Sequence, residues 1–199
     1  MNIVFDLGGV VFNWQPDAIV ESVFEDSMTQ RAATVGIIEH PDWLELDRGI
    51  MTRDQAITRG AARTGIPRQD VIRLFDAVPP SLTPIEETIE LIRTIREKNN
   101  NRLFVLSNMH HASIAYLEGK HDIWDLFDGI VISSRIRMVK PEIEIFEYLL
   151  ATHQLIAADT IFIDDMKENV AAASSRGIQT IRFVDPSQCR KALAELGCF

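Results

Sequence analysis

Polar and charged side chains stand where short apolar runs of this 199-residue chain end. The residues that end or follow these runs are Asp6, Ser107, Asn108, Lys140, Asp164 and Asp165. A carboxylate can attack phosphorus and form a covalent intermediate, and carboxylate oxygens also suit Mg²⁺. A hydroxyl, backbone N–H groups and an ammonium can hold phosphate oxygens. This combination of residue types therefore predicts phosphoryl-transfer chemistry.

Each of these residues also has a simpler interpretation. Asp6 could cap a turn, Lys140 before Pro141 could be a solvated loop residue, and the two polar pairs could cap the helices that follow them. Their order along the chain and their shared position after apolar runs favour the functional interpretation of the set.

The apolar runs predict the strands Asn2–Asp6, Leu103–Ser107, Ile130–Ser133, Thr160–Asp164 and Gln179–Val184. Nearly continuous apolar runs are typical of parallel strands that are buried on both faces. Helical patterns separate the later runs: Pro84–Lys98, ended by Asn99–Asn101, then Pro141–His153, and Asn169–Arg176 before Gly177. This alternation predicts an α/β fold with a doubly wound parallel sheet, in which the carboxyl ends of the strands form the ligand crevice.

Residues 16–80 interrupt this alternation and contain no convincing strand. Their patterns predict the helices Pro16–Phe24, Met28–Glu39, Pro41–Asp47, Thr52–Thr64 and Arg68–Phe75. Thr52 and Gln55 fit a capping box, and the proline-rich segment from Pro79 to Pro84 predicts a stiff connector. We therefore expect a core of residues 1–15 and 81–199, with an inserted helical cap of residues 16–80.

The motifs at the strand ends resemble a known set. They read FDLGGVV around Asp6, LSN at 106–108, KPE at 140–142, and IDD at 163–165 followed by Asn169. Together they resemble the four motifs of the haloacid dehalogenase-like hydrolases, which have a Rossmann-like fold and often carry an inserted cap. The resemblance covers the whole chain. It is strongest to bacterial α-D-glucose-1-phosphate phosphatases and to the N-terminal phosphatase domain of soluble epoxide hydrolases.

The resemblance implies a Mg²⁺ cofactor and the residues that bind it. Asp6 would be both the nucleophile and a metal ligand. Gly8 would offer its backbone carbonyl, and Asp165 would be the direct ligand from the acidic motif. Asp164 would stand behind Asp165 and orient a metal-bound water.

The resemblance also implies how the phosphoryl group is held. Ser107 and Asn108 would bind the transferring phosphoryl group, and Lys140 would neutralise both Asp6 and the phosphate. Asn169, one helical turn after Asp165, would brace the acidic loop.

One position departs from the commonest pattern of the family. Many such phosphatases carry a second Asp two positions after the nucleophile, where it protonates the leaving oxygen, and this chain has Gly8 there. Glycine has no proton to donate, so we expect slow turnover or a preference for labile phosphates unless another group supplies the proton. One of His110 and His111 could be that group. The simpler interpretation is a solvated pair at a helix start.

The predicted cap contributes further candidates. The segment Asp47-Arg48-Gly49 resembles a cap loop that reaches the active site in similar enzymes, so Arg48 could contact a substrate anion, or it could be a solvated residue at a helix end. Trp14 and Trp43 could form walls for a sugar or an apolar group, although Trp43 also suits a hydrophobic core.

The sequence therefore predicts a magnesium-dependent phosphatase that hydrolyses small phosphomonoesters, sugar phosphates above all, through an aspartyl-phosphate. A 2-haloacid dehalogenase is the nearest alternative, but it needs no metal, and the Asp164-Asp165 pair favours one. A catalytically weak binding or regulatory protein is a second alternative, which only Gly8 favours.

The composition limits the partners. A formal net charge of −9 argues against broad nucleic-acid binding, and the apolar runs are shorter than the roughly 20 residues of a membrane helix. Cys189 and Cys198 are too few for a disulfide framework. With no signal-like start, we expect a cytoplasmic monomer or weak homodimer that acts on a small phosphorylated metabolite.

Overall fold

The computed structural model describes residues 1–98 and 101–198. Within them, five parallel strands form one sheet in the order β3-β2-β1-β4-β5. The strands are β1 (Asn2–Phe5), β2 (Arg102–Ser107), β3 (Gly129–Ile132), β4 (Thr160–Asp164) and β5 (Gln179–Arg182). The strand order reverses beside β1, which confirms the predicted doubly wound α/β fold.

Both faces of the sheet are buried, as the continuous apolar runs predicted. Side chains alternate along β1, so that Ile3 and Phe5 lie in one hydrophobic cluster and Val4 in another on the opposite face. The first face is covered by α6 (Glu86–Glu97), α7 (His111–Lys120) and α11 (Pro186–Glu195). The second face is covered by α9 (Ile143–His153) and α10 (Lys167–Ser175). The short helix α8 (Ser133–Ile136) directly follows β3.

The segment between β1 and α6 is helical and is called here the helical insertion (residues 16–81). Its helices are α1 (Pro16–Val23), α2 (Ser27–Ala33), α3 (Pro41–Asp47), α4 (Arg53–Thr64) and α5 (Arg68–Ser81), with a π-helical turn at Thr34–Ile38. These helices share a hydrophobic cluster that includes Ile57, Val71 and Leu74. The insertion therefore has a core of its own above the carboxyl edge of the sheet.

Two predicted helix caps are confirmed, one at the start of α4 and one after α10. Thr52 accepts a hydrogen bond from the Gln55 N–H, and the Gln55 side chain accepts one from the Thr52 N–H, which completes the predicted capping box. Gly177 follows α10 with φ +78°, a left-handed conformation that glycine adopts without strain.

Some predicted boundaries were wrong. Helix α5 continues through Pro79 and Pro80 to Ser81, so these residues are not a stiff connector. Its buried face extends to Val78, and this packing outweighs the roughly 3 kcal/mol that a proline costs inside a helix. Pro141 precedes α9 instead of starting it.

Two further boundaries differ from the expectation or cannot be compared. The predicted helix Met28–Glu39 is divided by the π-helical turn. Of the residues expected to end α6, Asn99 and Asn100 lie outside the described part. No helix in the described part of the chain is long and apolar enough to cross a membrane.

Candidate active site

The candidate site is centred on the ends of β1 and β4, which are neighbours in the sheet. Phe5 pairs with Ile163, and the Asp6 N–H donates to the Ile163 carbonyl over 2.9 Å. The next residues along the two strands are Asp6 and Asp164, so the parallel register places two carboxyl groups side by side. This position is the switch point of the sheet, where ligands of open α/β folds bind.

Lys140 lies between these two carboxyl groups. Its Nζ is 2.8 Å from Asp6 Oδ2 and 2.6 Å from Asp164 Oδ2. The Lys140 side chain is 1% exposed, and the side chains of Asp6 and Asp164 are 10% and 0% exposed. A buried charge needs a partner of opposite sign, and here one ammonium serves two carboxylates.

The burial of this cluster shifts its pKa values. Burial raises the pKa of Asp6 to about 7, against the lowering effect of Lys140 and with a further increase from the charge of Asp164. Burial alone would lower the pKa of Lys140, but the charges of Asp6 and Asp164 raise it above its ordinary value. Lys140 is therefore positively charged, and two carboxyl groups share this single cation.

Asp164 is fixed in place by the chain around it. Asn169 Nδ2 donates to both of its oxygens at 3.0 Å, and the Met166 N–H donates to Oδ1 over 2.8 Å. With Lys140 on Oδ2 as well, both oxygens of Asp164 are committed to hydrogen bonds. Asn169 therefore holds Asp164 in place, and the roles that the resemblance implies for these two residues stay predictions.

The ends of β2 and of the loop after α8 meet beside this cluster. Asn108 Nδ2 donates to the Lys140 carbonyl over 2.9 Å, and the Lys140 N–H donates to Asn108 Oδ1 over 2.8 Å. Asn108 thus fixes the backbone that carries the ammonium. The Ser107 hydroxyl is buried and makes no hydrogen bond of ordinary geometry with a described residue, so it can still hydrogen-bond to a ligand.

The acidic residues of the site fit a hard divalent cation. Asp6, Asp164 and Asp165 each offer an oxygen atom, and these atoms lie within 4.8 Å of one another. Burial, and then the charge of Asp164, raises the pKa of the half-buried Asp165. Carboxylate oxygens are the ligands that Mg²⁺ prefers, and a bound cation would offset the excess negative charge.

Gly9 makes room for Asp165. A Cβ atom at position 9 would lie 2.7 Å from Asp165 Oδ2, and Gly9 has φ +76°. Both the close approach and the left-handed backbone require glycine here. The glycine pair after Asp6 therefore shapes the space that the acidic loop occupies.

A pocket of about 360 Å³ opens above the carboxylates, with Asp6, Lys140 and Asp165 among its lining residues. Much of its remaining wall is apolar and comes largely from the helical insertion and the loops beside it: Trp14, Ile38, Trp43, Val78, Leu82 and Met109. The rings of Trp14 and Trp43 are 6.0 Å apart. Both tryptophans therefore line the pocket, as the sequence suggested, and Trp43 also packs against the core of the insertion.

Arg48, which could contact a substrate anion according to the sequence, is not among the residues that line the pocket. Its guanidinium makes a two-pronged ion pair with Glu142, at 2.6 and 2.7 Å, and also contacts Glu45. Gly49 lies so close to the backbone of Ser134 that a Cβ atom would not fit. The guanidinium is therefore engaged in holding the insertion against the core, and we assign it no contact with substrate.

The two histidines after Asn108 have different surroundings. His111 is exposed, as a solvated helix-start residue would be, but His110 is 5% exposed and lines the pocket. His110 Nδ1 is 3.1 Å from Asp47 Oδ1, and Nε2 is 3.0 Å from the Ser113 hydroxyl. The sequence gives no indication that Ser113 belongs to the site. Its only indication for Asp47 is that this residue begins the segment that resembles a cap loop.

A sequence model of the haloacid dehalogenase-like hydrolases matches residues 49–183, more than half of the chain. The chain belongs to this family. Two curated relatives are phosphatases. A sesquiterpene phosphatase, AstK, from Aspergillus oryzae is 29% identical over 98% of this chain and 96% of its own length. A D-ribitol-5-phosphate phosphatase from Bacteroides thetaiotaomicron is 22% identical over 96% of each chain.

Solved structures share the fold. An enzyme of this superfamily from Bacteroides thetaiotaomicron, solved with magnesium and inorganic phosphate, superposes with a TM-score of 0.69 at 21% identity, over 90% of this chain and 92% of that one. The L-2-haloacid dehalogenase of Xanthobacter autotrophicus gives a TM-score of 0.67 at 15% identity, over 98% and 82%. At these identities the likeness concerns the fold.

Proposed function

We propose that this hydrolase is a magnesium-dependent phosphatase that cleaves small phosphomonoesters through an aspartyl-phosphate on Asp6. The observation that carries the proposal is the buried group of Asp6, Lys140 and Asp164 with Asp165 beside it, at the base of a pocket. The phosphatase relatives support the same reaction class.

Each residue of the group has a role in the reaction. A carboxylate oxygen of Asp6 attacks phosphorus, and the ammonium of Lys140 lowers the pKa of Asp6 and attracts the phosphate. The Ser107 hydroxyl and the backbone N–H of Asn108 bind phosphoryl oxygens. Asp6, Asp165 and the carbonyl of Gly8 would hold Mg²⁺, which offsets phosphate charge when it is bound. Asp164 and Asn169 keep the acidic loop in place.

The pocket wall favours an apolar leaving group over a sugar. A sugar needs hydrogen-bond partners for most of its hydroxyls, whereas hydrocarbon surface from Trp14, Ile38, Trp43 and Leu82 forms much of this wall. Burying an apolar group against it contributes about 25 cal/mol per Å². The name of the Aspergillus relative, a sesquiterpene phosphatase, agrees with an apolar organic phosphate. Sugar phosphates, which the sequence favoured, are the natural comparison substrates.

The helical insertion then acts as a cap that encloses the leaving group. Its ion pair between Arg48 and Glu142 holds it against the core. The net charge of −9 supports a monomer or weak homodimer, which sedimentation would check. We also expect a cytoplasmic location, which imaging of the tagged protein would check.

The central experiment compares the native protein with Asp6→Asn on terpenyl, hexyl and sugar phosphates in the presence of Mg²⁺. We expect native turnover that is fastest on the apolar phosphates, a phosphoenzyme in acid-quenched samples that hydroxylamine cleaves, and loss of both in Asp6→Asn. Faster hydrolysis of sugar phosphates would contradict the apolar substrate class. Unchanged activity of Asp6→Asn would contradict the mechanism.

The dehalogenase fold neighbour makes one further comparison necessary. Dehalogenation attacks carbon and requires no metal, so release of halide from 2-chloropropionate that persists in EDTA would support that chemistry instead. We expect no halide release, and we expect EDTA to abolish phosphate release, because the acidic cluster needs a cation before an anionic substrate can approach.

A further inference from the structure

The reaction proposed above needs a proton for the leaving oxygen, and Gly8 cannot donate one. Position 8 has enough space for a side chain, so crowding does not explain the absence of an acid there. A Cβ atom on Gly8 would make only an ordinary 3.8 Å contact with Trp14, and the backbone of Gly8 is not left-handed. The leaving oxygen of an alkyl phosphate is strongly basic, so without an acid its departure is slow.

A buried imidazole lines the same pocket. His110 stands at the start of α7, two residues after Asn108, and its ring meets the edge of Trp43 at 5.5 Å. The ring is bonded on both sides, to Asp47 from the helical insertion and to Ser113 from the core. It therefore lines the pocket between Asn108 and the apolar wall.

The hydrogen bonds give the two ring nitrogens different roles. A carboxylate only accepts, so Nδ1–H donates to Asp47, and this bond fixes the orientation of the ring. Nε2 faces the Ser113 hydroxyl, which can either donate or accept. Because a hydroxyl can rotate, Nε2–H can exchange this partner for a substrate oxygen.

We propose that His110 is the catalytic acid that protonates the leaving oxygen, and that Asp47 is the residue that positions it. This inference rests on the proposed phosphatase function and adds the group that replaces an acid at position 8. Because Asp47 lies at the end of α3, the acid is complete only when the helical insertion is seated on the core.

The two half-reactions balance through His110. In the first, the bond from Asp6 to phosphorus forms, the bond from phosphorus to the leaving oxygen breaks, and the Nε2 proton passes to that oxygen, which leaves as an alcohol. In the second, neutral His110 accepts a proton from water as the water oxygen attacks phosphorus. Asp6 is released as a carboxylate, phosphate departs, and the imidazolium is restored.

The test compares two leaving groups in the full-length protein with Mg²⁺. Hexyl phosphate has a basic leaving oxygen that needs a proton, whereas 4-nitrophenyl phosphate leaves as a stabilised anion. His110→Gln keeps a hydrogen-bonding side chain but cannot carry the proton. We expect kcat/KM, which reports the first half-reaction alone, to fall by about 10²-fold or more for hexyl phosphate and by less than about tenfold for 4-nitrophenyl phosphate. The matched control His111→Gln alters the exposed neighbour and should change neither rate.

The variant Asp47→Asn and the native enzyme separate a failure of this inference from a failure of the proposed function. Asp47→Asn should show the same selectivity for leaving group with a smaller loss, and it replaces His110→Gln as the test if that variant fails to fold. An equal loss of kcat/KM on both substrates would assign His110 a structural role and overturn the inference while leaving the phosphatase function intact. If the native enzyme hydrolyses neither substrate, the proposed function fails, and this inference fails with it.

Discussion

The two ends of the pocket are built in different ways. At the phosphate end, Asp6, Ser107 and Asp164 occupy the ends of adjacent strands, and Lys140 is bonded to two of them. At the leaving-group end, Asp47 and Trp43 from the insertion meet His110 from the core. Strand register positions the first group, whereas docking of the insertion against the core positions the second. We therefore expect changes at the phosphate end to abolish the reaction, and changes at the other end to alter which substrates react.

Lys140→Met gives the largest expected effect on the phosphate end. It leaves Asp6 and Asp164 buried without their cation, and breaking a buried pair in this way costs about 3–5 kcal/mol of stability. Denaturant unfolding should show that loss. Turnover should fall by about 10³-fold or more, since the lost ammonium also stabilises the transition state. Near-native stability would show that water reaches the carboxylates.

The stability of the metal-free protein should depend on pH through Asp6. Its folded-state pKa of about 7 lies above the ordinary 3.8, so the unfolded chain releases this proton at a lower pH than the folded protein does. Stability from Asp6 is therefore complete below about pH 4 and is lost as pH rises to 7. The loss is at most about 4 kcal/mol.

Thermal unfolding in EDTA between pH 5 and 8 measures this loss. The native protein should lose stability across that range relative to Asp6→Asn, and added Mg²⁺ should reduce the difference. Parallel pH profiles for the two proteins would show that Asp6 has an ordinary pKa.

Trp43→Ala tests the apolar wall of the leaving-group end. Removing a large ring should raise KM for terpenyl phosphate by about tenfold or more, in line with roughly 1.5–3 kcal/mol for a buried large side chain. KM for methyl phosphate, which is too small to reach the wall, should change little. The ratio of the two kcat/KM values is the measurement, because it does not depend on the fraction of folded protein. An unchanged ratio would mean that the leaving group binds elsewhere.

Gly8→Asp tests whether an acid at the phosphate end can replace the proton donor at the leaving-group end. In the His110→Gln background, a new acid at position 8 has the space to form, and it should raise kcat for hexyl phosphate by about tenfold. Gly8→Ala is the control with the same backbone change and no acid. Equal rates for the Asp and Ala variants would show that a carboxyl group at position 8 does not reach the leaving oxygen.

Arg48→Gln should have the smallest effect. The Arg48–Glu142 pair is partly exposed, with side-chain exposures of 18% and 42%, and such pairs contribute about 1 kcal/mol or less. We expect a modest and similar loss of kcat on all substrates, because the seating of the insertion weakens while the pocket chemistry stays intact. A selective loss on one substrate class would return Arg48 to a substrate-binding role.

The sequence by itself determined the sheet and the phosphate end of the pocket. Strands buried on both faces leave continuous apolar runs in the sequence, and parallel strands bring the residues after those runs to one edge of the sheet. Local sequence patterns were therefore enough to predict both the strands and the residues at that edge. The order of Asp6, Ser107, Lys140 and Asp164 along the chain was enough to predict their grouping.

Only the tertiary structure decided the leaving-group end. His110 could have been solvated like His111, and the difference comes from Asp47, 63 positions earlier in the chain. Arg48 pairs with Glu142, 94 positions later. Helix α5 includes Pro79 and Pro80, although local rules predicted that these prolines would end it. Such contacts depend on how the insertion packs against the core. No periodicity or motif records them, because the partners are distant in sequence and of ordinary residue types.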